Sequence, residues 1–256
     1  MSQHNRGSSS QLLKWTRIKR EAFAKELANL INIDGEDLKI TINDWWRPDC
    51  TLDGDIDPKE VTTAGIPDNI LPESNKKEIR QWWLKYSKGA NTPNWDFICS
   101  ANIGGVKGLI IIEAKSHKNE VKKEGKIFKN QSSYSSKANH DRISQAIKEA
   151  RDDLSKGIKI SIDHDYQLSN RIAYTWKFTT LGIPVILIYL GFINDTEMED
   201  IGEPFKSADE WNKFIKDYIK DIFPVKLLEK KVPCGNSYFY FLLRSIEIKD
   251  IKNRLV

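Results

Sequence analysis

Apolar positions change period several times along the chain, and each change marks a predicted element. From Leu12 to Ile31 the spacing is helical. With Phe23 as the origin of a wheel turning about 100° per residue, Leu27, Leu30 and Leu12 share one side and Trp15 lies at its edge. Asp34-Gly35 ends that helix, and Leu38–Ile42 alternates as a short strand. Between Asn43 and Glu78, Pro48, Pro58, Pro67 and Pro72 break any period, which predicts a long loop or insertion over 43–78. A short helix is expected over Lys77–Tyr86.

The following segment is more regular. Trp95–Ala101 and Lys107–Lys115 are strand-like and separated by Asn102-Ile103-Gly104-Gly105, a β-hairpin signal because glycine supplies the positive φ of a tight turn. The second run is too apolar for an edge strand and reads as covered on both faces. Helices are predicted over Asn139–Lys156 and Asp165–Thr180, the latter stopped by Gly182-Ile183-Pro184. Val185–Leu190 reads as a buried strand. Ser207 to Glu210 forms a capping box opening a helix over 208–222, and Tyr238–Leu243 is a last strand. The order predicts a single α/β domain over 1–256, a mixed sheet flanked by helices, with a disordered start over 1–10.

Composition narrows the class. With 256 residues, 39% hydrophobic and 30% charged, the chain is expected to be soluble and globular. The longest apolar stretch, Ile183–Ile193, is too short to cross a bilayer, and Met1–Ser10 lacks the apolar segment of a signal peptide. Cys50, Cys99 and Cys234 are far apart and show no metal-ligand spacing, so a reduced, cytoplasmic setting is expected. A net charge of +4 permits a polyanionic partner. No Gly-x-Ser-x-Gly elbow, Walker loop or dinucleotide fingerprint is present.

Charge placed on apolar strands requires compensation. Glu113 and Lys115 end the second hairpin strand and project from one face, since side chains alternate. A hairpin turning near Gly104 puts Asp96 opposite Glu113. Two carboxylates and an amine then converge at one end of a sheet. Carboxylate oxygens suit Mg²⁺, and a nearby ammonium can orient an attacking water and stabilise charge on phosphate. The same residues equally suit a Glu113–Lys115 salt bridge with Asp96 capping a turn.

Asp96 followed by Glu113-Ala114-Lys115 resembles the PD-(D/E)xK nuclease superfamily, the restriction-endonuclease-like fold. Pro93 stands three residues before the aspartate, where that pattern often has an adjacent proline. Trp82-Trp83-Leu84, Thr92-Pro93-Asn94-Trp95-Asp96, Glu113 to His117, Tyr166 to Arg171 and Pro184 to Phe192 are similar to a bacterial family of unassigned role with this core. The resemblance implies a metal-dependent endonuclease, DNA being the expected substrate, with a 5′-phosphate product. Asp96 and Glu113, helped by the Ala114 carbonyl, would hold Mg²⁺, with Mn²⁺ able to substitute, and Lys115 would act on the water. It further implies a supporting Gln167 and an extra acidic ligand on the first helix, for which Glu26 fits better than Glu21, a rim salt bridge being the alternative for Glu26. The alternative is a catalytically inactive nucleic-acid-binding or assembly subunit on the same fold.

Flanking residues extend this picture. On the Asp165–Thr180 helix, Leu168, Ile172 and Trp176 form an apolar side, whereas Gln167, Asn170, Arg171 and Tyr174 share the other. Amide, guanidinium and phenol groups suit phosphate or a neighbouring lysine, or an adjacent loop. His117 and Lys118 follow the motif as phosphate-binding candidates, and the lysines from Lys118 to Lys129 could line a phosphate-contacting loop. Trp45-Trp46 and Trp82-Trp83 could pack internally or stack on bases. A homodimer would suit cleavage of both strands, although no segment identifies an interface.

Overall fold

A computed structural model describes residues 6–33, 40–46, 61–88, 90, 92–128 and 133–252. In chain order the elements are α1 (Ser8–Thr16), α2 (Arg20–Ile31), β1 (Ile40–Trp46), β2 (Val61–Thr62), α3 (Glu73–Trp83), β3 (Asn94–Trp95), β4 (Phe97–Ile103) and β5 (Val106–Lys115). They continue with α4 (Tyr134–Leu154), α5 (Tyr166–Thr180), β6 (Val185–Ile193), α6 (Ala208–Ile219), β7 (Val232–Cys234), β8 (Ser237–Glu247) and α7 (Ile248–Lys252). The architecture is α/β: a mixed six-stranded sheet in the order β1-β4-β5-β6-β8-β7, with helices on both faces. β5, β6 and β8 run parallel, and the β1–β4, β4–β5 and β7–β8 pairs are antiparallel.

The alternation within each strand assigns its side chains to two cores. Ile110, Ile112 and Ala114 of β5, with Ile186, Ile188 and Leu190 of β6, face α1, α2 and α7. Leu109 and Ile111, with Val185, Leu187 and Tyr189, face α3, α4, α5 and α6. Parallel strands buried on both faces are expected to read as continuous apolar runs, and β6 is buried along its whole length. Gly191 in β6 pairs with Lys115, and a Cβ there would lie 2.5 Å from the Trp211 ring of α6. Gly191→Val is therefore expected to displace this fully buried tryptophan and cost about 1–3 kcal/mol, read as a lowered urea midpoint.

Several boundaries differ from those expected. The first helix is two: α1 packs on β5 and β6, while α2 lies on β1 with its end near β8, and Arg17–Lys19 make the change of direction. Residues 8–10, expected to be disordered, open α1 because Ser10, Gln11 and Leu12 are buried against the sheet and the loop after β6. The expected loop over 43–78 contains the end of β1, the short β2 and the start of α3; residues 47–60 lie outside the described residues. The hairpin turns at Gly104-Gly105, both with positive φ, and Phe97 pairs with Ile112. Ser207 caps α6 by accepting from the Glu210 amide at 3.1 Å.

Candidate active site

The register that pairs Phe97 with Ile112 continues to set Asp96 against the Glu113–Ala114 segment, where the Ala114 amide donates to Asp96 Oδ2 at 2.8 Å. Asp96, Glu113 and Lys115 all face the α4–α5 layer. Glu113 is only 1% exposed and both its oxygens are taken: Lys115 Nζ donates to Oε1 at 2.6 Å, and Arg171 Nε donates to Oε2 at 2.6 Å. Arg171 also donates to Asn170 Oδ1 at 2.8 Å, and its guanidinium lies 4.8 Å from the centre of the Trp95 ring. A charge buried this deeply persists because both carboxylate oxygens are met by cationic donors.

The electrostatics divide the carboxylates. Burial, and next the negative charge of Glu113, push the Asp96 carboxyl up to about 7, against the opposing pull of Lys115, Arg171 and the Ala114 amide. Burial also acts to raise Glu113, but Arg171 and Lys115 outweigh it and hold Glu113 below the usual carboxylate range. For Lys115, burial favours the neutral amine, and the charges of Glu113 and Asp96 overcome it, so the ammonium is strengthened. Environments that separate two neighbouring carboxyls in this way are characteristic of acid–base and metal sites, and also of structural ion networks.

These side chains open onto a cleft of about 630 Å³. Its walls include Asp96, Lys115, Arg171, Asn170, Gln167 and Glu120. Lys122 and Lys126 come from a rim segment tied to the start of α5, where Lys126 N donates to the Ile162 carbonyl and Tyr166 N to the Glu124 carbonyl, at 2.8 and 3.0 Å. Gly125 permits that approach: a Cβ there would meet the Asp163 carbonyl oxygen at 2.0 Å. The opposite wall is the start of α1, where the Ser8 hydroxyl donates to Glu120 Oε1 at 3.1 Å. Nothing in the sequence signals that Ser8 and Ser9 reach this cleft.

Several candidates lie elsewhere or act otherwise. Glu26 is on the opposite face of the sheet, beside the α1–α2 core, and accepts from Trp15 Nε1 at 2.9 Å; it does not join Asp96 and Glu113. Tyr174 is fully buried, with ring centres 4.7 Å from Trp83 and 5.3 Å from Trp95, so it is a core pillar and not a nucleic-acid contact. Both sides of α5 are covered because the helix lies between the sheet and its helical neighbours. His117 is buried under Gly202, its Nε2 3.8 Å from Glu120. Lys118 turns away to Glu203 at 2.6 Å and Glu210 at 2.8 Å. Arg171 and Asn170 do line the cleft, but Arg171 is committed to Glu113. Gln167 is half-buried at the wall without a side-chain hydrogen bond among the described residues, while Lys115 is oriented by Glu113. Trp82 and Trp83 are buried; the side chains of Trp45 and Trp46 lie outside the described residues.

Among the described residues, no group of three or more His, Cys, Asp or Glu side chains is placed to hold a metal ion. The donor chemistry nonetheless suits a hard divalent cation at one place. Burial first, and then the like charge of Glu113, raise Asp96, and an ion bound by both carboxylates would offset the two. Asp96 would be the primary ligand, and Glu113 would join it on releasing one of its two cationic partners. No family model, curated protein or solved structure matches the chain. Among the described residues, no helix is long and apolar enough to cross a membrane.

Proposed function

We propose that this protein is a metal-dependent hydrolase of nucleic-acid phosphodiester bonds on a restriction-endonuclease-like core, with DNA as its substrate. The observation that carries the reading is the convergence of Asp96, Glu113 and Lys115 at the end of a β-hairpin, facing a cleft whose rim bears Lys122 and Lys126. Bound there, Mg²⁺ or Mn²⁺ would polarise the scissile phosphate and lower the pKa of water. Lys115 holds an ammonium that can orient the nucleophile and stabilise charge on a phosphate oxygen. Glu113 positions Lys115, and Arg171 keeps Glu113 ionised. The rim lysines attract the backbone. A cytoplasmic setting belongs to the same reading, and a pair of chains would serve only a duplex cut on both strands.

A second reading, a nucleic-acid-binding or assembly subunit without catalysis, is favoured by one feature. The two Glu113 oxygens are already neutralised by Lys115 and Arg171, so with Asp96 ionised the four charges cancel. Incubating plasmid and single-stranded DNA with Mg²⁺ or Mn²⁺ separates the two readings. Wild type is expected to cut, and Lys115→Met to cut about 10²–10³-fold more slowly, the usual loss on removing one transition-state charge partner. Equal cutting by both proteins removes the assigned site. Binding without cutting by wild type supports the second reading.

A further inference from the structure

Large side chains left open to water are informative when they cluster beside a cleft. Tyr134, the first residue of α4, is 80% exposed, and Tyr86, just beyond α3, is 39% exposed. Their ring centres are 6.3 Å apart at 55°. The pair is held by backbone rather than by burial: Tyr86 N donates to Asn139 Oδ1 at 2.8 Å, and Asn139 Nδ2 donates to the Tyr86 carbonyl at 2.9 Å. The next residue, His140, bonds through Nε2 to the Lys126 carbonyl at 3.1 Å, and Lys126 lines the cleft. Asn139 and His140 thus link the tyrosine pair to the segment that forms the cleft rim.

The charged residues beside Tyr86 in the chain are basic, although the cleft rim also carries Glu124. Lys85 and Lys88 flank Tyr86, are exposed and have no ion-pair partner among the described residues. Asp141, the acid nearest to Tyr134 on α4, is neutralised by Lys137 at 2.8 Å. Exposed aromatic faces among free lysines suit a ligand that combines planar rings with phosphates. In a duplex the base faces are hidden in the stack; an unpaired strand offers them to any aromatic ring, largely irrespective of sequence.

We propose that Tyr86 and Tyr134 form a stacking platform for single-stranded nucleic acid, delivering its backbone to the cleft beside Lys126. The proposal rests on the reading of that cleft as a nucleic-acid site and narrows its substrate to an unpaired strand. Stacking on exposed tyrosines requires no rearrangement of the core, since neither ring supports it.

The test is fluorescence anisotropy with a labelled oligothymidylate 12-mer in EDTA, compared with a 12-base-pair duplex and an abasic 12-mer. Wild type is expected to hold the oligothymidylate tighter than either control. Tyr134→Ala is expected to weaken it about fivefold to a hundredfold, the usual effect of losing one base–aromatic stack, and Tyr86→Ala to add to that loss. Tyr134→Phe keeps the ring and is expected to bind within twofold of wild type. Alanine variants that bind like wild type, equal binding of the abasic strand or the duplex, or no binding of oligothymidylate by wild type each overturn the platform. Adding Mn²⁺ to the same complexes separates the two readings. Tyrosine-dependent binding without cutting retains the platform and removes the hydrolase, whereas cutting with tyrosine-independent binding does the reverse.

Discussion

Glu113→Ala is expected to destabilise the protein by about 3–5 kcal/mol, the usual cost of removing one partner from a buried ion pair. Lys115 is 5% exposed and Arg171 6%, so neither cation can turn to water without moving the strand or α5. The loss should depend on pH. Near pH 6 wild-type Asp96 is largely protonated, whereas in the variant, without the like charge of Glu113 and beside two unpaired cations, Asp96 ionises at lower pH and takes over part of the pairing. By pH 8 the wild type has ionised Asp96 against Glu113, a cost the variant escapes, so the deficit shrinks. Urea denaturation of wild type and variant at both pH values measures this. A deficit below about 1 kcal/mol at pH 6 would mean that water reaches the cluster and the cations are not stranded. Glu113→Gln keeps the volume and one acceptor, and should lose less.

Asp96→Asn is expected to act in the opposite direction on stability while abolishing hydrolysis. The folded carboxyl titrates near 7 against an ordinary value of 3.8, so between these values the folded state holds more protons than the unfolded state. Stability contributed by Asp96 therefore falls as pH rises from about 4 to 7 and is level above that. Over the whole window the decline is up to roughly 4 kcal/mol, at about 1.4 kcal/mol for each pH unit separating the folded and unfolded titrations. Asparagine can still accept from the Ala114 amide and does not titrate. The variant should thus match wild type near pH 4 and exceed it at pH 8, measured in EDTA by urea midpoints across the range. On the proposed metal-holding role of Asp96, the substitution should at the same time abolish DNA cleavage and calorimetric Mn²⁺ binding. A protein more stable yet inactive indicates a residue retained for chemistry at a cost in stability. Unchanged cleavage by Asp96→Asn would sink the hydrolase reading, and an unchanged pH profile would place Asp96 in open solvent.

Local pattern makes the site's nucleus legible. The Gly104-Gly105 turn sets the β4–β5 register, and that register with strand alternation brings Asp96, Glu113 and Lys115 to one face. None of these steps needs a contact outside the hairpin. The helix face of α5 is less legible. Periodicity places Asn170, Arg171 and Tyr174 together, but it cannot tell a face turned to ligand from one buried under another helix. Tyr174 belongs to the aromatic core and Arg171 to Glu113. Glu26 fails for a related reason: a wheel locates the margin of a buried side but not which face of the sheet that side covers. The exposed Tyr86–Tyr134 pair carries no signal, because its members are far apart in the chain and meet only through Asn139.

The amino-acid sequence by itself determined the hairpin, the buried strands and the charged end of β5, because turn chemistry and alternation act between neighbours or across one tight turn. Tertiary structure alone decided which cations neutralise Glu113, which helix walls the cleft and which aromatics remain exposed. Those outcomes depend on the parallel pairing of β5 with β6 and on the layers that α1 and α5 occupy. Such arrangements are selected by burial summed over the whole molecule, and no local pattern encodes them.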